Sequence, residues 1–265
     1  MLITRVLSAM VLIPLVVFAL YLGGPWAAGL VAIFAALAVI EFYQLSARLG
    51  ARPWVAAGTA LTVALVFAAQ FPAYHLAVPA YLVMLGALMV TYVLRQNYDG
   101  FLLGWAATLA GSAYTGGMLS HLVLLRNLPN GLLWVALAIL TTWGTDTAAY
   151  FVGTTLGKRP FFPRISPRKT IEGAIAGIIA GTLITIGIGI PFLHLSWPLA
   201  ASLGLLTALA TTFGDLAESL IKRQAGVKDS GNLIPGHGGA LDRIDSLLFS
   251  GVAVYYFVIW IVQAG

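Results

Sequence analysis

The sequence predicts an all-α, polytopic integral membrane protein, and three observations lead to that fold class. Of its 265 residues, 60% are hydrophobic and only 9% are charged, whereas a soluble domain carries about 25% charged residues. The mean hydropathy of +0.95 is correspondingly high. Apolar runs of about 17 to 25 residues, long enough to cross a bilayer, follow one another along the chain. Lipid cannot hydrogen-bond to backbone groups, so each run is expected to be helical.

About nine such runs, separated by glycine, proline or charged clusters, are predicted to be the transmembrane helices. The first run resembles a signal peptide, but its length and the lack of a clear A-x-A cleavage site favour a helix. Pro72 and Pro79 blur the boundary between the third and fourth runs. The nine runs are Val6–Leu22, Trp26–Leu45, Val55–Phe71, Ala77–Leu94, Phe101–Leu125, Leu132–Val152, Ile171–Ile190, Leu199–Ile221 and Leu247–Val262.

The distribution of lysine and arginine predicts the orientation of these helices. With the N-terminus in the cytoplasm, every one of the 14 Lys and Arg residues except Arg126 falls on the cytoplasmic side. An odd number of crossings then places the C-terminus outside. The nine acidic residues also lie in cytoplasmic loops or in the cytoplasmic halves of helices. Among them, Glu41 is ambiguous, with a salt bridge to Arg48 or Arg52 as one interpretation.

The chain is predicted to form a single transmembrane domain over residues 1–265. Residues 1–130 would supply helices one to five, and residues 131–265 the catalytic helices six to nine, with cytoplasmic loops at 157–170 and 222–246. No cysteine is present, which excludes disulfides and thiol chemistry.

Polar residues gather late in the chain, from Ser219 to Ser246 and just upstream. Four of them, spaced i, i+3, i+4 and i+7, share one face of the eighth predicted helix: Asp215, Glu218, Ser219 and Lys222. Asp215 lies about 10 Å below the end of this helix. An acid within the membrane is costly unless it is paired, hydrated or bound to metal, so these residues are candidates for function.

The acidic residues suggest a metal site. Asp242 and Asp245 lie three apart where the ninth predicted helix begins, and Asp146 lies deep in the sixth. Oxygen donors without cysteine suit a hard cation, Mg²⁺ first. We therefore predict Asp215 and Asp242 as metal ligands. The alternative is a set of salt bridges that packs the two helices, formed with Lys222, Arg223 and Arg243.

The glycine-rich loop from Gly231 to Gly239 could bring backbone N–H groups close to an anion, although no P-loop motif is present. The basic residues around it favour a phosphate-rich ligand: Lys222, Arg223, Lys228, His237 and Arg243. His237 is interpreted first as a phosphate donor, with a general acid or a turn residue as alternatives. For Asp229, beside Lys228, a loop salt bridge is favoured.

A second basic loop runs from Lys158 to Lys169. Ser166 and Thr170 offer hydroxyl groups there, and the following helix N-terminus favours an anion. Lys169 is predicted to bind phosphate from this loop. The alternative is that the basic residues only signal the cytoplasmic side, an interpretation that suffices for Lys158 and Arg159.

The segment from Ser219 onward resembles the signature of the phosphatidate cytidylyltransferase, or CDP-diacylglycerol synthase, family. The family pattern runs S-x-x-K-R, four residues, K-D, a small residue, P-x-H-G-G and D-R-x-D. It is matched by Ser219, Lys222-Arg223, Lys228-Asp229, Gly231, Pro235, His237-Gly238-Gly239 and Asp242-Arg243-Ile244-Asp245. The start MLITRV and the segments Asp146–Tyr150 and Ser166–Thr170 are similar too, so the resemblance covers most of the chain. Arg168 replaces the usual lysine and Ala240 a larger aliphatic residue, and neither change removes a chemical group.

The resemblance implies that CTP and phosphatidic acid give CDP-diacylglycerol and pyrophosphate. Asp215 and Asp242 would hold Mg²⁺, with a second cation near Glu218, Asp245 or Asp146. The other site residues implied are catalytic Lys222 and His237, and the substrate-binding residues Ser166, Lys169, Thr170, Ser219, Arg223, Lys228, Gly238, Gly239 and Arg243. The protein is expected in the inner (plasma) membrane, with its active site facing the cytoplasm. Its expected partners are membrane lipid and a second copy of the chain, and no nucleic acid.

Two other functions compete. A CTP-dependent lipid or polyprenol kinase would use similar groups but release CDP instead of pyrophosphate. A cation or phosphate transporter would also bury acids, although the predicted acids lie only in the cytoplasmic half. The CDP-alcohol phosphotransferases are less favoured, because their D-G-x-x-A-R motif is absent.

Overall fold

The computed structural model describes residues 2–96, 98–231 and 238–263, with only the backbone for residues 2–9, 11 and 12. Helices account for most of it. They are α1 (Leu2–Leu22), α2 (Gly24–Arg48), α3 (Val55–Gln70), α4 (Ala77–Arg95), α5 (Phe101–Ser112), α6 (Met118–Arg126), α7 (Gly131–Thr155), α8 (Ile171–Leu193), α9 (Trp197–Gln224) and α10 (Leu241–Phe257).

Within the described residues, 6 helical segments are long and apolar enough to cross a membrane. They are Gly24–Arg48, Ala77–Arg95, Gly131–Thr155, Ile171–Leu193, Trp197–Gln224 and Leu241–Val262. The segments Ile13–Leu22 and Val55–Gln70 are apolar but shorter. The predicted class, an all-α membrane protein, is confirmed, whereas the count of about nine crossings and the orientation of the termini stay predictions.

The fifth predicted helix is not a uniform α-helix. A π-helical turn over Ala113–Gly117 separates α5 from α6. Close packing accompanies this irregularity, because a Cβ on Gly116 would overlap the backbone of Thr62 and one on Gly111 would overlap Tyr43. The hydropathy of the run predicts a helix but carries no information about such a local change of pitch.

A short β-hairpin interrupts the helices where the sequence analysis expects a loop. Strand β1 (Pro160–Phe162) pairs antiparallel with β2 (Ser166–Thr170). Glu172, in the first turn of α8, accepts hydrogen bonds from the backbone N–H groups of Lys158 and Arg159 at 3.1 and 3.2 Å. The hairpin is therefore fixed to the start of α8. The basic residues of this segment did not predict that contact.

The residues form two compact units, which are Met1–Asn127 with Gln224–Arg243, and Leu128–Arg223 with Ile244–Gly265. In the first unit, apolar side chains from α3, α4 and α5 form a buried cluster: Leu61, Leu65, Leu88 and Leu109. Tyr43 of α2 is also buried there, and its hydroxyl donates to the carbonyl of Thr108 at 2.8 Å.

Arg126, the one basic residue predicted to lie outside, binds the end of α1 within the first unit. Its Nε donates to the carbonyl of Leu20 at 2.6 Å, and a terminal nitrogen donates to that of Tyr21 at 3.0 Å. These carbonyls belong to the last turn of α1, where no intrahelical N–H is available to them. The residue that departs from the positive-inside pattern thus has a structural role.

In the second unit, buried hydroxyl groups link the helices. Thr141 of α7 hydrogen-bonds to Thr185 of α8 at 2.8 Å, and Thr142 donates to Ser250 of α10 at 2.8 Å. Hydrogen bonds of this kind and close glycine contacts are typical of helix packing in membranes. The glycine contact is seen at Gly204 of α9, where a Cβ would lie 2.8 Å from the backbone of Thr182.

Candidate active site

Three aspartates of the second unit lie close enough to repel one another electrostatically: Asp146 of α7, Asp215 of α9 and Asp245 of α10. Ser246 provides a side-chain hydrogen bond to Asp146. The convergence of like charges is costly where water is scarce, so this cluster calls for positive charge. The assignment of Asp146 and Asp245 to a second cation stays a prediction.

Two lysines supply part of that charge. Lys169, the penultimate residue of β2, forms an ion pair with Asp215, with Nζ and Oδ2 2.5 Å apart. Lys222 forms an ion pair with Glu218 one turn earlier on α9. Glu218 is fully buried. Lys169 and Lys222, predicted as phosphate-binding residues, therefore also bind carboxylates.

Other predicted residues of this unit support the same cluster. The hydroxyl of Ser219 donates a hydrogen bond to Asp215 Oδ1 at 3.3 Å. Arg223 donates from Nε to the carbonyl of Ile165 in the hairpin turn at 3.2 Å, which ties the end of α9 to the hairpin. Ser166 begins β2.

Thr170 has a structural role that the sequence analysis did not predict. It is the N-cap of α8, and its Oγ1 accepts a hydrogen bond from the backbone N–H of Gly173 at 3.2 Å. Serine and threonine are favoured at this position because they satisfy an N–H that the helix cannot. Its hydroxyl proton is left to donate elsewhere, so the prediction that Thr170 binds phosphate stays open.

In the first unit, Asp242 lies in the first turn of α10. Its Oδ2 accepts hydrogen bonds from the backbone N–H groups of Ser230 and Gly239, both at 2.9 Å. The Ser230 hydroxyl lies 3.0 Å from the same oxygen. Asp242 therefore fixes the polypeptide on both sides of residues 232–237, in addition to any role as a ligand.

The adjacent glycines of the predicted anion loop are required by space and by backbone angle. Gly238 has φ +83°, in the left-handed region that other residues rarely adopt. A Cβ on Gly239 would overlap both Ser230 Oγ and the carboxylate of Glu41. The backbone angle thus accounts for Gly238, and close packing accounts for Gly239.

Glu41 is the residue that sequence analysis left ambiguous. Among the described residues its carboxylate is bound by Ser230, Ala240 and Leu241, not by Arg48 or Arg52. It is 4% exposed, on α2. A lone acid within an otherwise apolar run was the available signal, but the run gives no clue to its partners.

The remaining predicted residues take less part in these contacts. Lys228, Asp229 and Arg243 are exposed. His237 and Pro235 lie outside the described residues, so the role assigned to His237 stays a prediction. Asp242 belongs to the first unit and Asp215 to the second, and their convergence on one metal likewise stays a prediction.

The described acidic residues fit a magnesium site in their chemistry but not in their arrangement. Their oxygen donors fit this cation, and the mutual repulsion of Asp146, Asp215 and Asp245 would be relieved by it. Within the described residues, however, no three acidic or histidine side chains are already arranged to hold an ion. The donor chemistry supports Mg²⁺, and the ligand set is not assembled there.

Comparison with known proteins identifies the family. Residues 3–261 match the cytidylyltransferase family. The chain is 35% identical to phosphatidate cytidylyltransferase of Synechocystis sp., with 96% of each chain covered. It is 42% identical to the enzyme of that name in Bacillus subtilis, with 64% of each chain covered. A third relative of that name, from Brucella suis, is 43% identical over 58% of this chain and 57% of its own. The chain therefore belongs to the cytidylyltransferase family.

Proposed function

We propose that this protein is a phosphatidate cytidylyltransferase that transfers CMP from CTP to phosphatidic acid. The observation that carries the proposal is the match over nearly the whole chain to a relative of that name, with 96% of both chains aligned. The charged cluster on apolar helices supports it, because one substrate keeps its acyl chains in the bilayer and the other is soluble and anionic. The protein is thus proposed to be a membrane nucleotidyltransferase of phospholipid synthesis.

In the proposed reaction, a phosphate oxygen of phosphatidic acid attacks the α-phosphorus of CTP in line. A bond forms between them, the bond to the β-phosphate oxygen breaks, and pyrophosphate leaves. No covalent enzyme intermediate is needed, because the lipid phosphate is itself the nucleophile.

Positive side chains stabilise the triphosphate and the leaving pyrophosphate in this proposal. From α9 and the following segment these are Lys222, Arg223, Lys228, His237 and Arg243, with Gly238 and Gly239 offering close backbone approach. Ser166, Lys169 and Thr170 bind phosphate from the hairpin. The ion pair between Lys169 and Asp215 supports this role, because a lysine held beside the acidic cluster is placed where charge is in demand.

Asp215 and Asp242 are the proposed magnesium ligands, with Glu218, Asp245 and Asp146 as candidates for a second cation. The acid cluster around Asp215 supports this choice. Mg²⁺ would neutralise charge on the phosphates during transfer. Ser219, hydrogen-bonded to Asp215, orients that carboxylate.

The finer membrane arrangement is also a proposal. The chain crosses the inner membrane nine times, with its N-terminus and active site on the cytoplasmic side and its C-terminus outside, and it forms a homodimer. The lysine and arginine distribution supports the orientation. A topology reporter fused after Gly265 should be active only outside the cytoplasm.

Purified protein in detergent, supplied with CTP, phosphatidic acid and Mg²⁺, provides the test. CDP-diacylglycerol and pyrophosphate should appear together, and neither without phosphatidic acid or Mg²⁺. Release of CDP with a phosphorylated lipid would instead identify a kinase. Uptake of labelled ligand into proteoliposomes without CTP consumption would identify a transporter.

A further inference from the structure

We propose that Glu41 is a positioning residue for the proposed cytidylyl transfer, acting from α2 on the segment that carries Asp242. Both oxygens of its carboxylate are used. Oε1 accepts from the Ala240 N–H at 2.9 Å, and Oε2 accepts from the Leu241 N–H at 2.9 Å. All these residues belong to the first unit.

Ser230 extends this contact to Asp242. Its hydroxyl lies 2.8 Å from Glu41 Oε2 and 3.0 Å from Asp242 Oδ2. One hydroxyl has one proton, so the two carboxylates share a single donor, while the Ser230 oxygen accepts the Asp242 N–H at 3.3 Å. A shift of Glu41 would therefore be transmitted to Asp242 through one side chain.

The glycines of the segment fit closely around the same carboxylate. A Cβ on Gly231 would lie 2.5 Å from Glu41 Oε1, and one on Gly239 would overlap Glu41 Oε2. Glu41 thus contacts residues that precede and residues that follow positions 232–237 in the sequence. Close packing against Glu41 therefore explains why residues 231 and 239 are glycines.

The chemistry of the contacts favours positioning over direct catalysis. Glu41 is 4% exposed, and its partners are the first N–H of α10, the N–H before it and a serine hydroxyl. A buried carboxylate is stable only when its oxygens are hydrogen-bonded, and the helix N-terminus adds favourable dipole interaction. Neither oxygen needs to reach substrate for the residue to fix where Asp242 lies.

Glu41→Gln is the main test, in the full-length protein. The amide keeps the size of the side chain but replaces one acceptor oxygen by an NH₂ group, which faces an N–H donor. Loss of a supporting partner of a functional group typically lowers activity about 10- to 100-fold. We expect kcat to fall by that factor with little change in KM, and hydrogen exchange to accelerate in peptides that contain Ala240 and Leu241.

Tyr43→Phe is the matched control, because it removes a buried polar group two residues along the same helix. The Tyr43 hydroxyl hydrogen-bonds to Thr108 and Ser112 of α5, which lie far in the sequence from the segment that carries Asp242. It should lower the melting temperature but leave kcat and the exchange of Ala240 and Leu241 unchanged. If Tyr43→Phe lowered kcat as much as Glu41→Gln, general destabilisation of α2 would explain both and the proposal would fail.

Ser230→Ala provides a second variant should Glu41→Gln not fold, and it should accelerate exchange in the same peptides and lower kcat. Unchanged exchange, or accelerated exchange with normal kcat, would overturn the positioning role. The inference rests on the proposed function only for the kcat measurement. Absence of CMP transfer by the wild-type protein would refute the proposed function. The hydrogen-exchange measurement would still decide whether Glu41 holds the segment that carries Asp242.

Discussion

Two polar regions of this protein bind their carboxylates with different kinds of donor. In the first unit, Glu41 and Asp242 are bound by backbone N–H groups and by the Ser230 hydroxyl. In the second unit, Asp146, Asp215 and Asp245 repel one another, and Asp215 is bound by the lysine Lys169. Backbone N–H groups and a serine hydroxyl bind the acids of the first region, whereas in the second region a lysine charge joins a serine donor at Asp215.

The difference separates architecture from ligand binding. Backbone donors have little freedom to move within their helices and turns, so we expect the carboxylates that they bind to keep their arrangement when substrate binds. A lysine has a flexible stem, and like charges gain from any added cation. We therefore expect the interactions of the second region to change when CTP and the proposed Mg²⁺ bind.

The largest effect is expected from Asp215→Asn, which removes a charge from the second region. Turnover should fall by at least about 100-fold, because even supporting partners of a metal site contribute 10- to 100-fold. CMP transfer by the purified variant measures it. Asp99→Asn, an exposed acid between α4 and α5, is the control and should retain normal turnover. Near-normal turnover of Asp215→Asn would refute the role of that carboxylate.

Asp242→Asn sharpens the comparison, because it separates the charge of Asp242 from its hydrogen bonds. An asparagine carbonyl can accept the N–H groups of Ser230 and Gly239, so the melting temperature should change little. Turnover should still fall by about 10- to 100-fold if the charge binds a cation. Normal turnover with normal stability would show that Asp242 serves only as an acceptor, like Glu41.

Lys169→Gln tests whether the positive charge of Lys169 binds substrate. The KM for CTP should rise about tenfold, since a hydrogen bond to a charged group contributes about 1.5–3 kcal/mol. Lys158→Gln is the matched control. It removes the same charge beside the same hairpin, where the backbone N–H of Lys158 donates to Glu172. Equal effects of the two variants would indicate a general electrostatic contribution instead of a specific contact.

Thr170→Val should have the smallest effect. Loss of the N-cap of α8 lowers the free energy of unfolding by about 1 kcal/mol, measurable by thermal denaturation. If the hydroxyl also donates to phosphate, the KM for CTP should rise a few-fold, and Thr170→Ser should restore both properties. An unchanged KM would leave Thr170 as a helix cap only.

Much of the fold was predictable because the membrane leaves few choices. Long apolar runs must form helices in lipid, and the predicted segments Val55–Phe71 and Ala77–Leu94 lie within a residue of α3 and α4. The turn that interrupts Phe101–Leu125 and the hairpin at 160–170 were not predictable. Both depend on which backbone groups meet neighbouring elements, and hydropathy does not record this.

The candidate site was predictable where its residues are close in sequence. Helical spacing places Asp215 and Ser219 on one face, and they are hydrogen-bonded. The ion pair between Lys169 and Asp215 and the contact between Glu41 and Ser230, 189 residues apart, have no periodic signal. Composition suggested that Glu41 needs a partner, but the candidates nearest in sequence, Arg48 and Arg52, are not the ones that bind it.

The sequence by itself determined the membrane class, the resemblance to the family and the identity of the charged groups, because these follow from composition, local spacing and a contiguous motif. Only the tertiary structure decided which carboxylates are held by backbone donors and which by lysines. That division depends on where distant helices bring N–H groups and side chains together, and it distinguishes Glu41 and Asp242, which bind backbone donors, from Asp215, which binds a lysine.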